Sequence, residues 1–171
     1  MRVYRDEALA PKYAHVERER RWLVPAWRLT LTGAYVAIQD RYITGTRLRL
    51  RSMTDSGTGE AALKLTKKYE AVDPRARPIV TTYLTQTEFD VFSELPAKVL
   101  EKRRYGVPNA GREFSVDMFT GTLQGLILAE IEWPDDAGLR ALAAPLWADR
   151  EVTDDVRYQG GSLASLGIPG D

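Results

Sequence analysis

Residues 16–24 read Val16-Glu17-Arg18-Glu19-Arg20-Arg21-Trp22-Leu23-Val24, and their character alternates with period two. In an extended chain successive side chains point to opposite faces, so Glu17, Glu19 and Arg21 share one face of a strand. The same period recurs over 34–43, 45–53, 61–69, 79–86, 98–107, 113–119 and 125–133. Turn-forming runs separate these stretches, among them Asp55-Ser56-Gly57-Thr58-Gly59, Asp73-Pro74 and Pro108-Asn109-Ala110-Gly111. About eight strands without β-α-β spacing predict an antiparallel sheet, and eight strands close into a small barrel. The expected fold class is mainly β (α+β), an eight-stranded antiparallel β-barrel with a few outer helices. Thr87 is expected to cap a helix running to Leu95, with Glu88 and Asp90 in its first turn. Asp135 is expected to cap a second helix with Leu139, Leu142, Ala143 and Leu146 on one face. A third is expected near Ser162 to Leu166. Residues 1–15 read as a leader and 16–171 as a single domain.

Charge follows the alternation. Arg47, Arg49 and Arg51 share a face opposite Thr46, Leu48 and Leu50; Lys64, Thr66 and Lys68 share one opposite Leu63 and Leu65. Lys102 and Arg104 share a face, as do Ser115 and Asp117, and Glu130 and Glu132. Parity alone leaves two orientations open. The charged faces can be solvated over an apolar core. Alternatively they point into the barrel while the apolar faces receive the helices. The second arrangement is costly, since a buried charge costs several kcal/mol unless paired or hydrated. Proteins keep such an arrangement mostly for function, and cations beside carboxylates are the two parts of a polyphosphate–metal site.

Composition narrows the chemistry. The 171 residues carry 24 basic and 24 acidic side chains, so the chain lacks the basic excess of a nucleic-acid binder. There is no cysteine and a single histidine, His15, which excludes disulfides and sites built from several thiolates or imidazoles. A metal here must be hard and held by oxygen. No signal peptide and no membrane span is read, so a cytoplasmic location without membrane partners is the default. A monomer or homodimer is expected.

At this point the motifs, in order, resemble those of the triphosphate tunnel metalloenzymes, the CYTH-domain family. The family's opening Glu-x-Glu-x-Lys is matched by Glu17-Arg18-Glu19-Arg20-Arg21, its Arg-x-Arg strand by Arg49-Leu50-Arg51, and its Leu-Thr-x-Lys strand by Leu65-Thr66-Lys67-Lys68. Its Lys-x-Arg strand is matched by Lys102-Arg103-Arg104, and its late acidic strands by Asp117 and by Glu130-Ile131-Glu132. The likeness runs from about Val16 to Leu166, and short bacterial inorganic triphosphatases are the most similar members. It implies a tunnel with a charged interior, Mg2+ or Mn2+ as cofactor, and a small-molecule triphosphate or polyphosphate as substrate.

By the same resemblance Arg49, Arg51, Lys68, Lys102 and Arg104 would bind phosphate, with Arg47 and Lys64 adding to them. Glu17, Glu19, Asp117, Glu130 and Glu132 would hold metal, and Glu17, Glu19 and Arg21 form the catalytic set. Tyr158 would orient one end of the tunnel. Three positions depart from the family. Arg21 replaces a lysine and cannot lose its proton near neutral pH. No acid follows Arg77 in Ile79-Val80-Thr81-Thr82-Tyr83, and Gly160 stands where asparagine is common. These departures keep alternatives in view: a binding module that holds polyphosphate without cleaving it, a nucleoside triphosphatase, or an adenylate cyclase.

Overall fold

The structure, a computed structural model, describes residues 12–170; residues 1–11 of the expected leader lie outside them. Eight antiparallel strands form a closed barrel. They are β1 (His15–Leu23), β2 (Val36–Ile43), β3 (Leu48–Asp55), β4 (Ala61–Lys68), β5 (Ala76–Tyr83), β6 (Ala97–Asn109), β7 (Arg112–Phe119) and β8 (Ile127–Glu132). The order around the barrel is β1-β5-β4-β3-β2-β6-β7-β8. β1 closes it. Its first half pairs with β5, from His15↔Ile79 to Arg18↔Ala76, and its second half with β8, from Glu19↔Glu132 to Leu23↔Leu128. His15, expected just before the first strand, is its exposed first residue.

Residues opposite each other across a ladder share a face, and the residues that line the interior show which face points inward. Arg21↔Glu130, Glu130↔Ser115, Arg104↔Asp117, Asp40↔Arg51, Arg49↔Thr66 and Glu17↔Arg77 all fall on the inner face. On the β1, β7 and β8 side the other face is largely apolar and packs outside the barrel. There Trp22, Phe114, Val116, Ala129 and Ile131, each at most 4% exposed, meet Leu139, Leu142 and Ala148. A second cluster joins inward-facing Leu100, Phe119 and Leu128 to Tyr158 and Leu163 of the C-terminal segment, giving the cavity one apolar boundary.

Two short helices lie outside, α1 (Gln86–Ser93) against β3 and β4 and α2 (Asp136–Ala141) against β1. The third, α3 (Gly160–Leu166), is not an outer helix as expected but packs Leu163 against inward-facing residues and lines the cavity. α1 starts two residues earlier than expected, because Thr85 and not Thr87 is the cap. Its hydroxyl accepts from the Glu88 amide and its own amide donates to the Glu88 carboxylate, a reciprocal capping box. The helix stops at Ser93, before the Leu95-Pro96 step, where proline disfavours helical backbone at the preceding residue. Asp135 caps α2 as expected, but the helix is only six residues long. Leu142 leaves it with extended backbone and is buried, whereas Leu146 is 98% exposed. Pro145 in between is incompatible with one continuous helical face. No helix among the described residues is long and apolar enough to cross a membrane.

Candidate active site

The barrel encloses two connected spaces. The inner one, about 80 Å³, is lined by Glu17, Glu19, Arg21, Asp40, Arg51, Lys102, Arg104, Glu130 and Glu132 among others. The outer one, about 260 Å³, opens at the mouth between Arg47, Tyr69, Glu70, Pro74 and Arg77. Both share Glu19, Arg21, Tyr42, Arg49 and Lys68. Nearly every charged residue singled out from the sequence lines one or both of these spaces, Arg47 only the outer one. The exceptions are Asp117, fully buried behind Lys102 and Arg104, and Lys64, whose ammonium stands 5.0 Å above the Tyr83 ring; Arg47 stands at the mouth 3.6 Å from Glu70.

Most inner cations hold a neighbouring carboxylate; Arg49 stands 3.7 Å from Asp40, with its buried Nε lacking a hydrogen-bond partner. Arg51 grips Asp40 with two hydrogen bonds of 2.6 and 2.7 Å. Arg104 grips Asp117 the same way at 2.7 Å and reaches Glu130 at 2.7 Å. Lys102 donates to Asp117 and Lys68 to Glu17. Arg21 donates to Glu19 and to the Tyr158 carbonyl, with its Nε 2.9 Å from Glu130. Burial disfavours charge on all of these groups, but the pairing outweighs it for most. Glu130 lies well below the usual carboxylate range because Arg21, Lys102 and Arg104 outweigh its burial. Arg21 is raised despite burial by Glu130 and Glu19, so it is a fixed cation. Lys102 goes the other way: burial, with Arg104 and Arg51 nearby, lowers it against the pull of Asp117.

Asp40 shows what such a pair does for the fold. Burial pushes its carboxyl up, but Arg51, then Arg49 and Lys102, bring it down to about 2 from 3.8. A carboxylate whose folded value is depressed stabilises the fold above its unfolded value, and that stabilisation is lost as pH falls through the folded one. It should be on the order of 2 kcal/mol, full above about pH 4 and lost towards pH 2. Melting temperatures across this window should fall with acid in the wild type, and Asp40→Asn should flatten that fall.

The five acids read as metal ligands divide into two sets. Oxygens of Glu17, Glu19 and Glu132 come within 4.8 Å of one another. Asp117, fully buried, is engaged by Lys102 and Arg104, and Glu130 by Arg21 and Arg104. The Glu17–Glu19–Glu132 set fits a hard divalent cation: three carboxylates with no nitrogen or sulfur donor. Their mutual repulsion points the same way. Glu132 is raised by burial and then by Glu17, Glu19 and Glu130, and a bound cation would relieve that.

Sequence reading passed over Asp40 and Tyr42 on β2. Their signal was present, since Ile38, Asp40 and Tyr42 alternate within a predicted strand. Burial and the Asp40 charge push the Tyr42 hydroxyl up to about 12. Tyr42 also explains Gly160. A Cβ there would lie 1.9 Å from the Tyr42 oxygen, so the asparagine common in the family would displace this ring. Tyr158 is buried in the apolar boundary, its hydroxyl 3.2 Å from Arg150.

A closed antiparallel barrel with paired charges inside is the architecture that the motif order implied. The chain is similar to curated proteins of that kind. It is 34% identical over 111 residues to an inorganic triphosphatase of Acetivibrio thermocellus, a match covering 65% of this chain and 63% of the relative. It is 41% identical over 71 residues to an inorganic triphosphatase of Nitrosomonas europaea, covering 41% and 46%. The matches thus span less than two thirds of either curated relative's length. The solved structure of the inorganic triphosphatase NE1496 is 27% identical, with a TM-score of 0.58 over 90% of this chain and 97% of that one. No family model matches the chain. These likenesses bear out the resemblance to short bacterial triphosphatases of the tunnel type.

Proposed function

We propose that this chain hydrolyses inorganic triphosphate, or a related linear polyphosphate, bound in the barrel cavity with Mg2+ or Mn2+. One observation carries the reading: cations suited to phosphate and three converging carboxylates line one barrel cavity. The names of the similar proteins support it.

Hydrolysis adds a water oxygen to a terminal phosphorus and breaks its bond to the bridging oxygen, releasing orthophosphate and pyrophosphate. The protein's part is to position the chain and neutralise developing charge. Arg49, Arg51, Lys68, Lys102 and Arg104 take phosphate oxygens, the arginines in bidentate fashion. Glu17, Glu19 and Glu132 would hold the divalent cation, which when bound would neutralise phosphate charge and help to activate water. Asp40, Asp117 and Glu130 keep the cationic heads aimed inward. Arg21 carries a fixed charge and takes no proton from water; it braces Glu19 and Glu130. Arg21→Lys keeps the charge but cannot span all three partners. The expected cost is about 1 kcal/mol, or roughly 2–4 °C in Tm, with turnover retained; a large loss of turnover would show that the guanidinium fork itself is needed.

A second reading, binding without cleavage, is favoured by the inner face of β5. It carries Ile79, Thr81 and Tyr83 and offers no further carboxylate. Incubating the purified protein with triphosphate, ATP or GTP and either metal, and assaying phosphate, pyrophosphate and cyclic AMP, separates the readings. Phosphate release from triphosphate that stops on chelation supports hydrolysis. Binding without turnover under both metals would reduce the chain to a polyphosphate holder.

A further inference from the structure

Most cations in the inner cavity already hold a carboxylate at hydrogen-bond distance, but the mouth is different. Among the described residues, Arg77 has neither a hydrogen-bond nor an ion-pair partner, although it is partly buried and lines the outer space. The acid opposite it across the β1–β5 ladder is Glu17, and Lys68 already holds that carboxylate. Arg75, two residues earlier, is tied to Asp154 at 2.6 Å. Arg47, the other mouth cation, spends its charge loosely on Glu70, whose side chain is 80% exposed.

We propose that Arg77 is a further substrate-binding residue, gripping the outermost phosphate of a triphosphate whose inner phosphates occupy the inner cavity. The proposal rests on the function given above and adds to it a residue and a direction for the substrate. An unpaired guanidinium beside a cavity offers a planar fork of donors that matches phosphate oxygens. Its placement is fixed before substrate arrives. Pro78 follows it and restricts Arg77 to extended backbone, and both residues sit in the β5 ladder with β1. An elongated anion lying across the two connected spaces reaches from Lys102 and Arg104 inside to Arg77 outside, whereas an anion one phosphate shorter is satisfied by the inner cations alone.

Length dependence is therefore the signature. Titration calorimetry with inorganic triphosphate and with pyrophosphate, both without divalent metal so that nothing is cleaved, reads it directly. Arg77→Gln is expected to weaken triphosphate binding tenfold or more and pyrophosphate binding less than twofold, with an unchanged melting temperature. Arg77→Lys should restore part of the loss. Equal weakening of both anions, or unchanged triphosphate binding, would overturn the role of Arg77. If the wild type bound neither anion, the reading of the whole cavity would fall with it.

Discussion

Asp117→Ala is expected to destabilise the protein by about 3–5 kcal/mol, the usual cost of stranding a buried charge. Asp117 is fully buried, and two cations depend on it: Lys102, itself 7% exposed, and Arg104 through two hydrogen bonds. Removing the carboxylate leaves both heads in a cavity where Glu130, already shared with Arg21, and the more distant Glu19 are what remain to compensate. For a chain of 171 residues the loss corresponds to roughly 10 °C or more in Tm. Asp117→Asn keeps the shape but not the charge, so it should lose a large part of the same stability. Melting curves of the two variants decide the matter. A change within 1–2 °C would mean that the cations are hydrated and that Asp117 is not their counterion. The opposite outcome is expected at Glu19.

Glu19→Ala should leave the fold nearly intact and remove turnover. Arg21, its partner, keeps Glu130 and the Tyr158 carbonyl, so no cation is stranded. What is lost is one of three converging carboxylates. We expect kcat to fall by at least about 10²-fold, the scale of losing a group that stabilises charge in the transition state, with partial recovery at raised Mg2+ or Mn2+. Activity assays over a metal titration, beside a melting curve, read both halves. Wild-type kcat in this variant would remove Glu19 from the site, and a collapsed fold would make it a structural acid like Asp117.

Much of the fold was legible because side-chain character alternates along every strand, and the outer faces of β7 and β8 are apolar and packed. Period-two patterning finds all eight strands, and Asp135 announces its helix. The local misreadings have local causes. Thr85 and Thr87 are both plausible caps, and the Glu88 side chain that selects Thr85 acts only once the turn forms. Leu146 fits a helical face on paper, but Pro145 redirects the chain first. Orientation was less legible. Charged faces inside and charged faces outside share one alternation, and the order of the motifs suggested the inward choice that the residues lining the interior then fixed. Least legible was the division of labour among the acids. Glu130 and Glu132 look alike in sequence, yet Glu130 stands opposite Arg21 across β1 and β8 while Glu132 stands opposite Glu19. One becomes a counterion and the other joins a repelling set. Asp40 was missed for the same reason, since its role depends on Arg51 standing opposite it in the β2–β3 ladder.

Phosphorus NMR of inorganic triphosphate mixed with the purified protein and Mg2+ tests the central claim most directly, because it sees binding and cleavage at once. The expected result is loss of the triphosphate resonances and growth of pyrophosphate and orthophosphate in equal amounts, abolished by chelation and in Glu19→Ala. Triphosphate resonances that stay unchanged, or that broaden on binding but never give way to products, would contradict hydrolysis in this barrel.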